Sequence, residues 1–308
     1  MNILVTGGAG FIGSHICDAY INAGHKVTVL DNLSTGFEKN IHPKAEFILM
    51  DINSKDIDRF FKSEKFDIVS HHAAQMNVRV SVDNPIYDAT TNILGSINIF
   101  QAAKNSGVKK VIFASSGGTI YGEQDYFPAD EEHPTRPCSP YGISKLSVEK
   151  YLFYYKEVCG LDFVSFRYGN VYGRRQNPHG EAGVVAIFLN KMLAGEQPII
   201  NGDGLITRDY IYIEDLVDAN LIALEQKVSG IYNITTGVET DVNTIFKLLK
   251  ELTGSSCEEY HGPAKAGEQR RSVCSNKLMK EKFGWEPKIS FIEGLKKTVE
   301  FAKADLIN

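Results

Sequence analysis

Four glycines within the first thirteen residues constrain this chain most. Thr6-Gly7-Gly8-Ala9-Gly10-Phe11-Ile12-Gly13 follows a short apolar segment, Asn2–Val5, and opens onto helical spacing from Phe11 to Ala23 that ends at Gly24. Gly8, Gly10 and Gly13 fit G-x-G-x-x-G; Gly7, Gly10 and Gly13 fit the wider G-x-x-G-x-x-G. Glycine allows a tight turn and lets a pyrophosphate approach the backbone. The amides of the following helix then face the anion. Alone, the motif also describes an ordinary glycine-rich turn. The context separates the two: a strand precedes, a helix follows, and Asp31 ends a second strand 18 residues after Gly13. A carboxylate there accepts hydrogen bonds from a ribose 2′-hydroxyl and repels a 2′-phosphate, so NAD is expected rather than NADP.

Strand-like and helix-like segments alternate through the first half. Strands are expected at Lys26–Leu30, Glu46–Met50, Phe66–Val69, Lys109–Ala114 and Leu161–Phe166. Helices are expected at Ser54–Lys62, Ile86–Asn105 and Tyr141–Val158. Such alternation implies an α/β fold, a Rossmann-type doubly wound parallel sheet with helices on both faces. Residues 1–170 are expected to form the NAD-binding domain. Residues 171–308 would form a smaller mixed α/β substrate region, with the chain returning to the first domain around 208–235. In that region Gly173–Gly183 reads as loop, Arg208–Ile213 and Gly230–Ile234 as strands. Val184–Ala194, Leu216–Glu225, Asn243–Leu252, Lys277–Phe283 and Ile292–Ala304 read as helices.

Charge and cysteine usage narrow the function classes. A net charge of −5 offers no basic excess for a phosphate backbone, so no nucleic-acid partner is expected. The longest apolar run, Val184 to Leu189, is too short for a bilayer, and the first residues carry no export signal. Five scattered cysteines (Cys17, Cys138, Cys159, Cys257, Cys274) form no C-x-x-C pair, which points to neither zinc nor a disulfide framework and suits a reducing cytoplasm. His71 and His72 lack the partner spacing of a metal site.

The reactive chemistry is read from Tyr141-Gly142-Ile143-Ser144-Lys145. Tyr141 and Lys145 lie four apart, on one helix face. Tyrosine titrates near pH 10 and is a poor base at neutral pH; a neighbouring ammonium and an oxidised nicotinamide ring both favour the phenolate. The pair can therefore take a proton from an alcohol while hydride leaves its carbon. A surface i,i+4 pair is the plainer reading of the same spacing. Ser115-Ser116-Gly117-Gly118 follows a strand at the ligand-binding edge, where a hydroxyl can share that proton. Asp51 ends the third strand and either reaches an adenine amine or caps the helix near Ser54; Ala73 and Ala74 would let backbone pass close to a cofactor.

These segments occur in order with Ile120-Tyr121-Gly122, Arg167-Tyr168-Gly169-Asn170-Val171-Tyr172-Gly173 and Arg208-Asp209-Tyr210. Over nearly its whole length the chain resembles the extended short-chain dehydrogenase/reductases that act on nucleotide sugars, and within them the UDP-hexose 4-epimerases. The resemblance implies inversion at carbon 4 of a UDP-hexose through a transient 4-keto sugar, with NAD bound throughout. It implies Tyr141 as base, Lys145 as the residue that holds the nicotinamide ribose and tunes Tyr141, and Ser116 on the sugar hydroxyl. Gly7, Gly10, Phe11, Ile12, Gly13, Asp31, Asn32, Asp51, Ile52, Ala73, Ala74 and Tyr168 fall to the cofactor. Asn170, Val184, Asn201, Arg208, Lys265, Glu268 and Ser272 fall to the substrate.

Departures from the family pattern matter. Lys265-Ala266-Gly267-Glu268 stands where the family often carries Arg-x-Gly-Asp/Glu, so a point charge replaces a bidentate fork. Asn201 stands where an aromatic often stacks on uracil, which leaves uridine against thymidine open. Ser272 would leave room for an N-acetyl group at carbon 2 that a tyrosine would crowd. A 4,6-dehydratase needs an acid and a base where this chain has Gly117-Gly118. A UDP-glucuronate decarboxylase would need a carboxylate-binding group such as Arg174, and a non-catalytic NAD-sensing protein would have little need of Tyr141, Lys145 and the serine edge together. Apolar faces on the helices at 86–105 and 141–158 point to a homodimer, the family's habit.

Overall fold

A computed structural model describes residues 1–178, 183–265 and 269–305. Strand β1 (Asn2–Thr6) leads into α1 (Phe11–Asn22), followed by β2 (Lys26–Asp31), β3 (Glu46–Leu49), α2 (Ile57–Glu64) and β4 (Ile68–His71). Then come α3 (Val78–Asp83), α4 (Pro85–Ala89), a π-helical turn at Thr90–Leu94 and α5 (Gly95–Asn105). Strand β5 (Lys110–Ser116), the short α6 (Gly117–Ile120), the long α7 (Pro140–Cys159) and β6 (Asp162–Tyr168) complete the first half. The second half runs β7 (Asn170–Tyr172), α8 (Val184–Leu193), β8 (Ile200–Asn201), β9 (Thr207–Tyr212), α9 (Ile213–Glu225), β10 (Gly230–Ile234) and β11 (Glu239–Asp241). It closes with α10 (Val242–Thr253), β12 (His261–Gly262), β13 (Arg271–Ser272), α11 (Lys277–Phe283) and α12 (Phe291–Asp305).

Seven strands form one parallel sheet in the order β10-β6-β5-β4-β1-β2-β3. From β1 the chain steps outward to β2 and β3, then crosses back to place β4 on the other side of β1. The crevice at the carboxyl ends of β1 and β4 is the switch point where such sheets bind ligands. Side chains alternate across the sheet. Ile3 and Val5 pack on one face with Ile16 and Tyr20 of α1 and Ala219 of α9. Leu4 packs on the other with Phe61 of α2, Phe100 of α5 and Leu152 of α7.

Three expectations need correction. The helix over Ile86–Asn105 is not continuous: it is α4, a π turn and α5, and the wider turn faces Asn92 inward, where its amide bonds Gln75 and Asp88. Beyond it α5 lies so close to Ile52 that a Cβ on Gly95 would sit 2.6 Å from Ile52 Cδ1. The helix expected from Ser54 begins at Ile57, because Ser54 donates its amide to Asp51 O (2.9 Å) in a turn. The strand expected over Arg208–Ile213 ends at Tyr212 and stays out of the main sheet; β9 pairs with β7, β11 and β13 instead, while β10 lies parallel to β6.

Candidate active site

The glycine turn and the loop after β4 are pressed together at the switch point. A Cβ on Gly7, whose φ is +70°, would lie 2.6 Å from Ala73 N, and one on Gly13 would lie 2.2 Å from Gly7 O. Only glycine fits at either position. Thr6 Oγ1 accepts from the amides of His72 and Ala73 (3.2 Å each), so its own proton goes to His71 Nδ1 at 2.7 Å. His71 Nε2 then donates to Ser96 Oγ at 2.9 Å. Burial pushes His71 and His72 down to about 3, so both rings are neutral and structural.

This turn fits a dinucleotide. Helix α1 starts with no side-chain cap and no acidic residue in its first turn, which leaves its first amides, from Phe11, Ile12 and Gly13, for an anion. Asp31 is buried at the end of β2 and braces the turn, accepting from Ala9 N (3.0 Å) and Leu33 N (2.8 Å). A carboxylate has lone pairs to spare for a ribose. Asn32 donates to Asp51 Oδ2 (2.7 Å), and Asp51 Oδ1 accepts from Asn53 N (2.7 Å). Asp51 thus caps no helix, and it stands beside Asp31 and Asn32 across β2 and β3. Ile52 is buried against α5. Tyr168 is buried too, its hydroxyl bonded to Asn220 (3.1 Å), so its ring belongs to the fold.

The reactive edge forms where β5 ends and α7 begins. Ser139 caps α7 by accepting from Gly142 N (3.1 Å), and Pro140 fits its first turn. A Cβ on Gly142 would lie 2.8 Å from Thr119 O, so α7, with Tyr141 in its first turn, starts flush against α6, the short helix that follows Ser116 at the end of β5. Ser115 is committed elsewhere, donating to Glu149 Oε1 (2.7 Å). Lys145 is 4% exposed; its Nζ donates to Ala114 O (2.8 Å) and lies 5.7 Å from the centre of the Tyr141 ring. Burial pushes Lys145 down to about 8, with Asp88 and Glu149 holding it up.

The second sheet gathers part of the expected substrate set. Arg208 on β9 pairs in register with Ser272 on β13, and Asn170 on β7 pairs with Tyr210 two residues along β9. The Asn170 amide oxygen would be 3.4 Å from a Cβ on Gly118, beside the serine edge. Val184 opens α8, and Asn201 lies on β8, paired with Gly262 of β12. Lys265 is exposed beyond β12, and Glu268 lies outside the described residues. Arg174 is held by Glu214 at 3.6 Å. Two buried carboxylates escaped the sequence reading. Glu149 stands eight residues after Tyr141 on the same face and takes both Arg167 Nε (3.1 Å) and Nη2 (2.8 Å). Asp88 is fully buried beside Ser144. The 141–145–149 spacing was the one available signal.

A doubly wound sheet with an anion-facing glycine turn and a Tyr-Lys pair beside a serine edge defines a nicotinamide-dependent short-chain dehydrogenase/reductase. Residues 3–235 match the NAD dependent epimerase/dehydratase family, and the chain belongs to it, with NAD as cofactor. The UDP-glucose 4-epimerase of Mycolicibacterium smegmatis is 42% identical over 98% of both chains. The crystal structure of Thermotoga maritima UDP-glucose 4-epimerase with UDP-glucose is 49% identical, with a TM-score of 0.97 over 99% of this chain and 100% of that one. The Thermus thermophilus UDP-glucose 4-epimerase complex with NAD is 43% identical, with a TM-score of 0.94 over 98% and 99%.

Proposed function

We propose that this protein is an isomerase that inverts carbon 4 of a UDP-hexose, interconverting UDP-glucose and UDP-galactose. The observation that supports this reading is the Lys145 ammonium, which bonds Ala114 O two residues before Ser116 at the carboxyl end of β5 and lies 5.7 Å from the centre of the Tyr141 ring. NAD, held by the glycine turn and Asp31, would supply reversible hydride acceptance at carbon 4. Tyr141 takes the proton of the 4-hydroxyl and gives it back, and Ser116 hydrogen-bonds the same oxygen. Lys145 favours the Tyr141 phenolate by its charge and holds the nicotinamide ribose. Gly7, Gly10 and Gly13, with the first amides of α1, take the pyrophosphate, and Asp31, Asn32 and Asp51 the adenosine side.

Asn170 and Arg208 grip the diphosphate, joined by Val184, Asn201 and Lys265 around the nucleotide. Binding energy placed on the nucleotide leaves the hexose loose enough to turn. A dehydratase would need an acid and base at 117–118, but a Cβ on Gly117 would already lie 3.2 Å from Arg167 O. Ser272, small and next to Arg208, supports acceptance of UDP-N-acetylhexoses as well. In domain terms, residues 1–170 with α9 and β10 carry the cofactor and the rest of 171–308 carries the nucleotide sugar.

The active species is a cytoplasmic homodimer through α4, α5 and α7. Ile86 on α4, Leu94 at the end of the π turn, and Phe153 and Val158 on α7 stand exposed, a face suited to its own copy. The described residues hold five free cysteines, in keeping with a reducing compartment, and no helix among them is long and apolar enough to cross a membrane. Incubation with UDP-galactose and UDP-N-acetylgalactosamine, without added NAD, tests the function: NMR should show the 4-epimers. A 4-keto-6-deoxy sugar, a pentose or unchanged substrate would overturn it.

A further inference from the structure

Among the described residues, two buried charges near the reactive edge lack an oppositely charged partner in contact. Asp88 on α4 is fully buried, and its carboxylate is met by neutral donors alone. Oδ2 accepts from Ser144 Oγ at 2.6 Å; Oδ1 accepts from Gln75 Nε2 at 3.0 Å and Asn92 Nδ2 at 2.9 Å. Lys145, next to Ser144 on α7, donates its ammonium to a neutral carbonyl, Ala114 O. The other buried carboxylate on this face, Glu149, already has the bidentate Arg167. A buried charge without compensation is costly, and Asp88 reaches Lys145 through Ser144, its neighbour in the same turn of α7.

Asp88 also ties together the parts that must stay in register. Ser144 belongs to the turn of α7 that presents Tyr141. Gln75 follows Ala73-Ala74, and Asn92 holds it doubly: Gln75 N donates to Asn92 Oδ1 (2.8 Å) and Asn92 Nδ2 donates to Gln75 O (2.9 Å). One carboxylate therefore links the catalytic helix, the π turn and the loop on the cofactor side.

We propose that Asp88 is a positioning residue for the Tyr141–Lys145 pair, fastening the start of α7 to the segment after β4 and supplying the negative charge that keeps Lys145 an ammonium. The proposal rests on the reading of Tyr141 as base and Lys145 as its partner. The charged and titratable groups around Lys145 are few. Asp88 and Glu149 support its charge, Tyr141 lies one turn before it, and His71 and His72 face it from the end of β4 as neutral rings.

Asp88→Asn keeps the size of the side chain and removes the charge. The titration of Lys145 is read by NMR from the Cε resonance of labelled lysine, assigned as the peak missing in Lys145→Met, independently of turnover. Its midpoint should fall by about one unit in Asp88→Asn. In parallel the alkaline limb of kcat for UDP-galactose should move down by the same amount with KM unchanged, a loss of about twofold at pH 7 that grows to about tenfold above pH 9. A folded Asp88→Asn protein with an unmoved Lys145 midpoint would overturn the proposal. If Asp88→Asn does not fold, Ser144→Ala cuts the tether to α7 and leaves the charge: a lower kcat at unchanged KM supports the proposal, and an unchanged kcat overturns it. A wild-type protein that turned over no UDP-hexose would sink the functional reading, and the Lys145 midpoint would still decide on Asp88.

Discussion

Gly7→Ala is the sharpest perturbation of the cofactor cradle, and Gly24→Ala is its control. Both glycines hold left-handed backbone, with φ of +70° at Gly7 and +84° at Gly24. A side chain in that region costs about 1–2 kcal/mol at either position. The surroundings differ. Nothing lies within 4 Å of a Cβ on Gly24, whereas a Cβ on Gly7 meets Ala73 N at 2.6 Å, Ala73 Cα at 2.8 Å and His72 C at 2.8 Å. Those atoms are backbone and cannot turn aside, so overpacking adds about 1–3 kcal/mol. Gly7→Ala should therefore lose about 2–5 kcal/mol against about 1–2 for Gly24→Ala. Separating the β1 and β4 loops also opens the dinucleotide site, so only Gly7→Ala should lose bound NAD. Denaturant unfolding measures the first effect, and absorbance of NAD released on denaturing the purified protein the second. Equal stability loss in the two variants, with full NAD content in both, would refute the reasoning that the two loops are held in contact to form the cradle.

Tyr141→Phe should lower kcat by about 10²–10⁴, the worth of a positioned general base, while NAD content and UDP-sugar affinity stay near wild type by calorimetry. Because burial holds Lys145 near about 8, activity that depends on its ammonium is full below that pH and falls as pH rises through it, seen as an alkaline limb in the kcat profile. Arg167→Met strands the Glu149 carboxylate, 1% exposed in its side chain, and should cost about 3–5 kcal/mol in chemical unfolding. Ser272→Tyr should keep turnover of UDP-galactose and lower that of UDP-N-acetylgalactosamine in paired rate measurements; equal effects on both sugars would remove Ser272 as a gate.

Local signals made the first half of the fold legible. The glycine turn, Asp31 and the strand–helix rhythm are short-range patterns, and the parallel sheet follows from them. The π turn at Thr90–Leu94 was not legible, because it turns Asn92 toward Gln75, 17 residues earlier, and precedes Gly95, whose close approach to Ile52 no local pattern announces. Strands of two or three residues, such as β8, β12 and β13, carry no period of their own and exist only through pairing. Arg208 looked like part of a strand returning to the main sheet; its neighbours Thr240 and Ser272 lie 32 and 64 residues on, and they draw it into the second sheet. The burial of Asp88 and Glu149 was not legible, since their partners Ser144 and Arg167 lie 56 and 18 residues away.

The central claim is that hydrogen leaves carbon 4 and returns to the same carbon without meeting solvent. UDP-galactose deuterated at carbon 4, incubated in ordinary water with the protein as isolated, tests it directly. NMR of the UDP-glucose formed should show deuterium retained at carbon 4 in full, with the same label absent from free nucleotide and water. Product carrying protium at carbon 4, or inversion that continues undiminished in Tyr141→Phe, would contradict the account.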